Sequence, residues 1–263
     1  MRVALTSLCL GDAFREMWTT RFRAGWSAYA KRHGYDLRVF DAPLDPSDAA
    51  AARSPAWQKC LVLEALADYD RVIWVDADIA IHPRAPAIVD GVPAEKVGAV
   101  VSGDLLHDDM KAVFLERVRR GVKVTPGGGA AAWADDQRVF YRRVGLEPTS
   151  SDIVQTGVLV LSPAHHRAML QRVYAAKLKK IVRSHEQLPL SAEILDGGLL
   201  HRLDSRFNLV FAERAIVHYP YLFEKKQHPQ YAELARLAVA TEFRNSFFLH
   251  FAYDLSFSTY LSA

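Results

Sequence analysis

The sequence predicts an α/β protein with a mostly parallel central sheet flanked by helices. Two observations carry this prediction. Strand-like and helix-like segments alternate as β-α-β-α-β over roughly the first 80 residues, and such alternation is typical of parallel sheets with crossover helices. Half of the 263 residues are apolar, which is enough to bury a large core. We expect one domain that spans residues 1–263.

The first strand, helix and second strand follow from apolar patterning. Val3–Leu8 begins with a short apolar run, which predicts a buried strand. Large apolar residues recur near helical spacing over Asp12–His33, and Gly34 is a favoured residue at a helix end. Asp36–Phe40 then predicts the second strand.

The next helix has a clear start signal. Ser54 is a preferred N-cap, and Pro55 is favoured in the first turn, so we expect a helix from there to about Leu66. The apolar residues 71–75 form the third strand, and Val97–Val101 forms another. Together these elements complete the alternation that predicts the sheet.

The second half of the chain continues the pattern after a break. Gly121–Ala134 contains one proline and three consecutive glycines, which predict a loop, either a plain connection or a functional lid. We then expect a strand over Ile153–Leu161 that is interrupted at Gln155-Thr156-Gly157. Helices are expected over Pro163–Ile181, with a basic last turn, and over Glu186–Leu195.

Bulk properties exclude several classes of protein. A net charge of +3 with dispersed basic residues argues against nucleic-acid binding. Cys9 and Cys60 lack metal or redox spacing and predict buried free thiols. The N-terminus lacks signal-peptide sections, and no apolar stretch reaches the length of a membrane span. We expect a cytoplasmic protein without a transmembrane segment; peripheral contact with a membrane stays open.

The most informative motif is the pair of carboxylates Asp76 and Asp78 at the end of the strand 71–75. In an extended backbone, residues at i and i+2 point to the same side. Asp68 and Asp70 have the same spacing, but they precede the strand and predict a solvated turn. Ligands of open α/β sheets bind beyond the carboxyl ends of strands, so Asp76 and Asp78 are the candidate site.

Two neighbouring carboxylates repel each other unless a cation lies between them. Hard oxygen ligands suit Mg²⁺ or Mn²⁺. The pair Asp76 and Asp78 therefore predicts a divalent metal that holds a diphosphate.

Six short motifs follow one another along the chain. They are Trp57-Gln58-Lys59; Trp74-Val75-Asp76-Ala77-Asp78; Gln155-Thr156-Gly157-Val158-Leu159-Val160-Leu161; Glu186-Gln187 with Leu190-Ser191; Leu203-Asp204-Ser205-Arg206-Phe207-Asn208; and Phe248-Leu249-His250-Phe251-Ala252. Over roughly residues 3–252, this series resembles the nucleotide-sugar glycosyltransferases of the GT-A fold, which is Rossmann-like. The resemblance is strongest to the retaining families around glycogenin and the bacterial galactosyltransferases, and to the fungal and plant mannosyl- and xylosyltransferases.

The chain departs from the pattern of these families at three positions. Gln155 stands where an asparagine or a small residue is usual, and Glu186 stands where an aspartate is usual. Tyr253 replaces a glycine that often follows the histidine, and the lysine-containing tail of the glycogenin-like motif is absent. These departures concern acceptor choice and the closing of the diphosphate pocket.

The resemblance implies a metal site made of Asp76, Asp78 and His250. An imidazole added to carboxylates shifts the preference from Mg²⁺ toward Mn²⁺. A lone histidine in an apolar run is otherwise a hydrogen-bonded core residue. His218, in a similar apolar and aromatic setting, is a competing candidate for the third ligand.

The resemblance also implies the residues that bind the donor and support the reaction. Glu186 and Gln187 would face the sugar ring and the reaction centre, and Gly157 would let the backbone approach the sugar closely. Lys59 would meet phosphate or base, although a helical lysine is usually solvated. The implied donor-binding residues are Thr6, Ser7, Lys59, Asp76, Ala77, Asp78, Gln155, Thr156 and Gly157.

The resemblance implies metal-dependent transfer of a hexose or pentose. The donor would be a nucleoside-diphosphate sugar, with a UDP-sugar favoured, and the acceptor would be a hydroxyl of a glycan, lipid or small molecule. Retention of the anomeric configuration is expected, because the resemblance is strongest to retaining families and no carboxylate is spaced as an evident base. Glu186 is the only acid at a helix start that could serve as one. Two alternatives stay open: a sugar nucleotidyltransferase, and a non-catalytic nucleotide-sugar-binding protein of the same fold. The residues Cys9-Leu10-Gly11-Asp12, which lack a basic glycine-rich loop, count against the first.

Overall fold

A six-stranded sheet forms the centre of the protein. The structure is a computed structural model, and it describes residues 1–120, 122, 137–176, 185–224 and 229–261. The strands of the central sheet are β1 (Val3–Leu8), β2 (Asp36–Phe40), β3 (Arg71–Val75), β5 (Val97–Val101), β6 (Val154–Leu161) and β7 (Leu200–Arg202). Their order across the sheet is β2-β1-β3-β6-β5-β7.

Five of these six strands run in the same direction, and only β6 is antiparallel to its neighbours β3 and β5. The prediction of a mostly parallel sheet is therefore confirmed. The pairing of β5 with β6 changes register between Ala99 and Val100, so that Ala99 pairs with Leu159 while Val100 pairs with Gln155. The expected interruption of β6 at residues 155–157 is thus an irregularity in its pairing with β5 rather than a break in the strand.

A second, three-stranded sheet lies next to the end of β3. It consists of β4 (Ile79–Ile81), β8 (Leu209–Val210) and β9 (Phe248–His250), in the order β4-β9-β8. β4 is antiparallel to β9, and β8 is parallel to it. This small sheet brings together three chain segments that are far apart in the sequence.

Helices cover both faces of the central sheet. Along β3, Ile73 belongs to an apolar cluster that includes Trp26, whereas Trp74 belongs to a second cluster that includes Leu63 and Leu170. Both faces of the strand are buried, as expected for a sheet between two helical layers. The helices are α1 (Asp12–Arg21), α2 (Arg23–His33), α3 (Asp48–Ala51), α4 (Val62–Ala65), α5 (Asp108–Arg119), α6 (Arg138–Arg143), α7 (Pro163–Ala175), α8 (Gln187–Asp196), α9 (Phe211–His218), α10 (Tyr221–Glu224) and α11 (Tyr231–Asn245).

The single helix expected over residues 12–33 is two helices, α1 and α2. Phe22, at the junction, departs from ideal helical geometry with φ of −117°. Its ring is buried and stacks on Phe251 at 5.9 Å between centroids. Packing against Phe251 favours a bend that apolar spacing alone does not reveal.

The segment after Ser54 is also not a regular α-helix. Ser54 caps it as expected, because its hydroxyl accepts from the amide of Ala56. Residues Pro55–Leu61 then form a 3₁₀ helix, and only α4 is α-helical. The tighter winding turns the buried side chain of Lys59 toward the sheet.

Several sequence predictions fall at the margins of the described residues. The helix expected to reach Ile181 ends at Ala175, because Ala176 has an extended ψ of 130°. Its predicted basic last turn lies outside the described residues, and so does the loop predicted over 121–134 except for Val122.

Cys9 and Cys60 are buried free thiols, as predicted. None of the helices in the described ranges has both the length and the apolar character that a membrane crossing requires.

Candidate metal centre and substrate pocket

The two carboxylates of the central motif lie in a turn between β3 and β4. The amide of Ile79 donates to the carbonyl of Asp76 at 3.1 Å, so the backbone forms a turn here. The sequence prediction that Asp76 and Asp78 lie on the same side of an extended strand is therefore wrong in its geometry, although the turn still places both residues at the end of β3. The amide of Asp76 donates to the carbonyl of Gly157 at 2.7 Å, which ties this turn to β6. Asp70 lies at the other end of β3, where it accepts from the amide of Arg2.

Strand pairing brings His250 to this turn. His250 pairs with Ile79 across β4 and β9, and the amide of Phe251 donates to the carbonyl of Asp78. Ligand atoms of Asp76, Asp78 and His250 all lie within 4.8 Å of one another. Two carboxylates and one imidazole at this separation form a donor set that suits a divalent cation. His218, at the end of α9, is not part of this group.

Asn208 orients the imidazole of His250. Its side-chain carbonyl lies 2.8 Å from Nδ1 of His250, while its amide donates to the carbonyl of Gln155 at 3.3 Å. Because the asparagine carbonyl accepts a hydrogen bond from Nδ1–H, Nε2 is the ring nitrogen that faces Asp78, 3.2 Å away. Nε2 donates to the carboxylate when it is protonated, and it would offer its lone pair to a metal once that proton is lost. A partner of this kind fixes the ring and the tautomer that a metal needs.

Asp78 and His250 perturb each other's ionisation. Burial alone would raise the pKa of Asp78, but the charge and hydrogen bond of His250 outweigh it and lower that pKa. Burial alone would lower the pKa of His250, and the Asp78 carboxylate outweighs it and raises that pKa. Each group therefore stabilises the charged form of the other.

Gly157 makes room for the imidazole. A Cβ atom at this position would lie 2.6 Å from Cε1 and 2.9 Å from Nδ1 of His250. In this structure His250 is the residue that would lie closest to that Cβ atom. Asn208 and Asp78 hold the ring from two sides, so it cannot move aside without losing a hydrogen bond. The expected approach of the Gly157 backbone to the sugar stays a prediction.

We predict that Gly157→Ala weakens metal binding by about 10- to 100-fold, because the added methyl group would displace the imidazole of His250. Loss of a residue that orients a metal ligand typically has an effect of this size. Calorimetric titration with Mn²⁺ measures this effect. Gly103→Ala is the matched control, because a Cβ there would lie no closer than 3.4 Å to any neighbour, and its metal affinity should equal that of the wild type. An unchanged affinity in Gly157→Ala would contradict the placement of His250.

Lys59 lies behind the carboxylates as a buried cation. Its side chain is 2% exposed, and Nζ lies 3.1 Å from Oδ1 of Asp76 and 2.6 Å from Oε1 of Glu186. It also donates to the carbonyl of Thr156 at 2.9 Å. Burial alone would lower the pKa of Lys59, but the charges of Asp76 and Glu186 outweigh it and raise that pKa, so the lysine stays charged at neutral pH.

This cation occupies one oxygen of Asp76. Oδ1 accepts from Nζ of Lys59 and also from Nε1 of Trp74, at 2.7 Å. Glu186 is similarly engaged, since its Oε1 accepts from Lys59 and from the hydroxyl of Thr156 at 3.0 Å. Lys59 therefore links the turn of Asp76 to the start of α8.

Two pockets meet at the carboxylate pair. Asp76 and Asp78 line both of them. The first is a largely apolar cleft of about 470 Å³, which is also lined by Leu8, Leu10, Phe14, Pro55, Ala56, Trp74, Ala77 and His185. The second is a more polar pocket of about 360 Å³, which is also lined by Ala56, Lys59, Gln155, Thr156, Gly157, His185, Glu186, Gln187, His250, Ala252 and Tyr253.

Most of the predicted site residues come together in these pockets. Gln155 donates to the hydroxyl of Ser102 at 2.6 Å, and Gln187 donates to the carbonyl of Val154 at 3.2 Å. Both side chains remain at the wall of the polar pocket. The irregular pairing of β5 with β6 leaves residues 156–158 unpaired with β5, and Thr156 and Gly157 of this segment line the polar pocket.

Thr6 and Ser7 are the exceptions. Both are fully buried, and the hydroxyl of Thr6 donates to the carbonyl of Arg38 at 2.6 Å. Neither residue is among those that line the two pockets; Leu8 and Leu10, further along the chain, are.

The structure adds several residues to the site that the sequence does not mark as candidates. His185 borders both pockets, and its Nδ1 lies 3.1 Å from the hydroxyl of Ser54. Trp74 and Asn208 belong to the sequence motifs, but their hydrogen bonds to Asp76 and His250 depend on tertiary structure. Tyr253, which departs from a family pattern in the sequence, lines the polar pocket.

Comparisons with known proteins concern the fold. No protein-family model and no curated protein matches the sequence. Among solved structures, the chain is similar to a glycosyltransferase involved in the glycosylation of the major capsid of PBCV-1, with a TM-score of 0.54, 11% identity and 99% of each chain covered.

Two further solved structures are similar over 96% of this chain. One is the bifunctional glycosyltransferase WbbM, with a TM-score of 0.52 and 11% identity, of which 45% is covered. The other is the galactosyltransferase LgtC in complex with donor and acceptor sugar analogues, with a TM-score of 0.50, 13% identity and 87% of that chain covered. The chain therefore has the GT-A fold.

Proposed function

We propose that the protein transfers a sugar from a nucleoside-diphosphate sugar, with a UDP-sugar favoured, to an acceptor hydroxyl. One observation carries this proposal: the group formed by Asp76, Asp78 and His250 lies where an apolar cleft and a polar pocket meet. A nucleotide sugar has a matching order of parts: a flat aromatic base whose faces can pack on apolar side chains, a ribose, a charged diphosphate and a polar sugar. The GT-A fold of the chain supports the same reading.

The diphosphate needs a counter-charge at the meeting point. Asp76, Asp78 and His250 would hold a divalent ion there, and the imidazole favours Mn²⁺ over Mg²⁺. A bound ion would supply Lewis-acid stabilisation of the departing diphosphate. Because Lys59 and Trp74 occupy Oδ1 of Asp76, Oδ2 is the oxygen that Asp76 would offer to the ion or to a ribose hydroxyl.

The apolar cleft suits the base of the nucleotide. Leu8, Leu10 and Phe14 line it on one side, and the buried indole of Trp74 lines it as well. Apolar walls with a few polar groups are usual for small-molecule sites. His185 stands between this cleft and the polar pocket, where it would face the diphosphate.

The polar pocket suits the sugar. Gln155 and Gln187 present amide groups that can donate to or accept from sugar hydroxyls. Gln187 is the residue that we place nearest the reaction centre. Glu186 is 1% exposed and is bonded to Lys59 and Thr156, so it positions the lysine and the pocket wall rather than serving as an accessible base.

This position of Glu186 supports retention of the anomeric configuration. An inverting enzyme needs a base on the acceptor side. The other acids of the polar pocket are Asp76 and Asp78, which the metal would engage. We therefore propose that the departing diphosphate oxygen accepts the proton of the acceptor hydroxyl on the same face.

The experiment is incubation of the protein and Mn²⁺ with a panel of UDP- and GDP-sugars, with and without candidate sugar acceptors. We expect metal-dependent release of UDP from one sugar, and an unchanged anomeric configuration in the NMR spectrum of the product. Joining of a sugar phosphate to a nucleoside triphosphate would instead indicate a nucleotidyltransferase. Binding without turnover under all conditions would indicate a non-catalytic protein.

A pair of histidine variants tests the metal ligand. His250→Ala should weaken Mn²⁺ binding by more than about 10-fold, because it removes one of three ligands. His218→Ala is the matched control, since this residue lies outside the group at the end of α9. Calorimetry with Mn²⁺ compares the two. Equal affinities in the wild type and in His250→Ala would remove His250 from the site.

A further inference from the structure

Tyr253 has an unusual backbone conformation at the edge of the polar pocket. Its φ angle is 74°, and it is the only residue other than glycine with a positive φ in the part of the chain that the structure describes. The left-handed region crowds the Cβ atom of an L-residue against the backbone, and glycine enters it without this cost. Strain of this kind persists where the surroundings hold it, and it is concentrated at functional sites.

The side chain of Tyr253 is only partly packed: burial of its hydroxyl raises the pKa of that group, and the nearby carboxylate of Glu213 raises it further. Its residue is 44% exposed, whereas the large aromatic residues of the core are almost fully buried. No hydrogen bond or ring contact of this side chain is found within the described ranges. A glycine at this position would form the turn with less strain, so the turn itself does not require a tyrosine.

The location of Tyr253 points to one part of the ligand. It lines the polar pocket together with Asp78, Gln187 and His250. It is not among the residues that line the apolar cleft. A contact from this position would therefore involve the sugar beyond the diphosphate, and not the base.

We propose that Tyr253 is a specificity-determining residue that packs its ring against the hexose of the nucleotide sugar. This proposal rests on the proposed function. An aromatic ring offers a flat apolar surface for the C–H face of a pyranose. The amide groups of Gln155 and Gln187 in the same pocket complement this surface.

The test compares UDP with UDP-glucose and UDP-galactose in the presence of Mn²⁺, by calorimetry. In Tyr253→Ala and Tyr253→Gly, the affinity for the better-bound UDP-hexose should fall about tenfold, which corresponds to the loss of one aromatic contact. The affinity for UDP should change less than about twofold in both variants. Tyr253→Phe should keep the wild-type preference, because it keeps the ring.

Tyr221→Ala is the matched control. Tyr221 is 38% exposed, which is close to the exposure of Tyr253, and it does not line either pocket. This variant should bind UDP and both UDP-hexoses as the wild type does.

Comparison of Tyr253→Ala with Tyr253→Gly also separates the effect of backbone strain on stability from the effect of the ring contact on binding. Both remove the ring, but only glycine relieves the positive φ of 74°. Tyr253→Gly should therefore unfold about 2–4 °C above Tyr253→Ala, while both lose the same affinity for the UDP-hexose. A Tyr253→Gly variant that is no more stable than Tyr253→Ala would overturn the strain that motivates the proposal.

Two binding results distinguish the failure of this proposal from that of the proposed function. If the wild type binds neither UDP nor a UDP-hexose with Mn²⁺, the UDP-sugar assignment fails, and the role of Tyr253 fails with it. If the wild type prefers a UDP-hexose and Tyr253→Ala keeps the same preference, only the role of Tyr253 is overturned. A loss in Tyr253→Phe as large as that in Tyr253→Ala would also overturn the ring contact.

Discussion

Asp78→Asn is expected to lower Mn²⁺-dependent binding of UDP by more than about 100-fold while the protein stays folded. The substitution keeps the size of the side chain but removes the charge that faces the other metal ligands. Replacement of groups that only orient a ligand already costs 10- to 100-fold in metal affinity, and Asp78 is proposed as a ligand itself. Calorimetry with UDP and Mn²⁺ measures the loss, and circular dichroism checks the fold.

The second D-x-D sequence of the chain provides the control. Asp68 lies in the turn before β3, at the end of the strand opposite to Asp76. Asp68→Asn makes the same chemical change in a second D-x-D motif, and it should leave the Mn²⁺-dependent binding of UDP unchanged. Wild-type affinity in Asp78→Asn, or an equal loss in both variants, would reject the assignment of the metal site to Asp76 and Asp78.

Lys59→Met is expected to reduce the free energy of unfolding by about 3–5 kcal/mol, the cost of breaking a buried ion pair from one side. The side chain of Lys59 is 2% exposed, and its ammonium group contacts Asp76 and Glu186. Methionine has a similar length but leaves two neighbouring carboxylates without their cation. Urea denaturation monitored by tryptophan fluorescence measures the difference.

Two further variants define this effect. Glu186→Gln in the Lys59→Met background should recover part of the lost stability, because it removes the buried charge of Glu186, whose side chain is 2% exposed. Arg172→Met breaks an ion pair with Glu193 whose side chains are 61% and 37% exposed, and it should cost at most about 1 kcal/mol. A Lys59→Met variant within 1 kcal/mol of the wild type would contradict the structural role of this lysine.

The strands and the group formed by Asp76, Asp78 and His250 could be predicted from sequence because their signals are local or ordered along the chain. The apolar run 71–75 and the carboxylates after it are adjacent, so both are visible together. His250 could be chosen over His218 only from the order of the motifs. The structure explains this choice, since β9 pairs with β4 directly after Asp78.

The remaining features of the site depend on contacts between distant residues. The sequence gives no reason to pair Lys59 with Glu186, or Asn208 with His250, because each pair meets only after the sheets have formed. The break at Phe22 has the same origin: apolar spacing continues through it, and the bend reflects its contact with Phe251. Helical periodicity reports which face is buried and not what it is buried against.

The most direct test of the proposed function is the position of Mn²⁺ in a crystal of the protein grown with UDP and MnCl₂, located from its anomalous scattering. We expect one ion bound by Asp76, Asp78 and His250, with the diphosphate on the ion and the base in the cleft lined by Leu8 and Phe14. An ion bound elsewhere, or UDP bound with its diphosphate away from these three residues, would contradict the proposal.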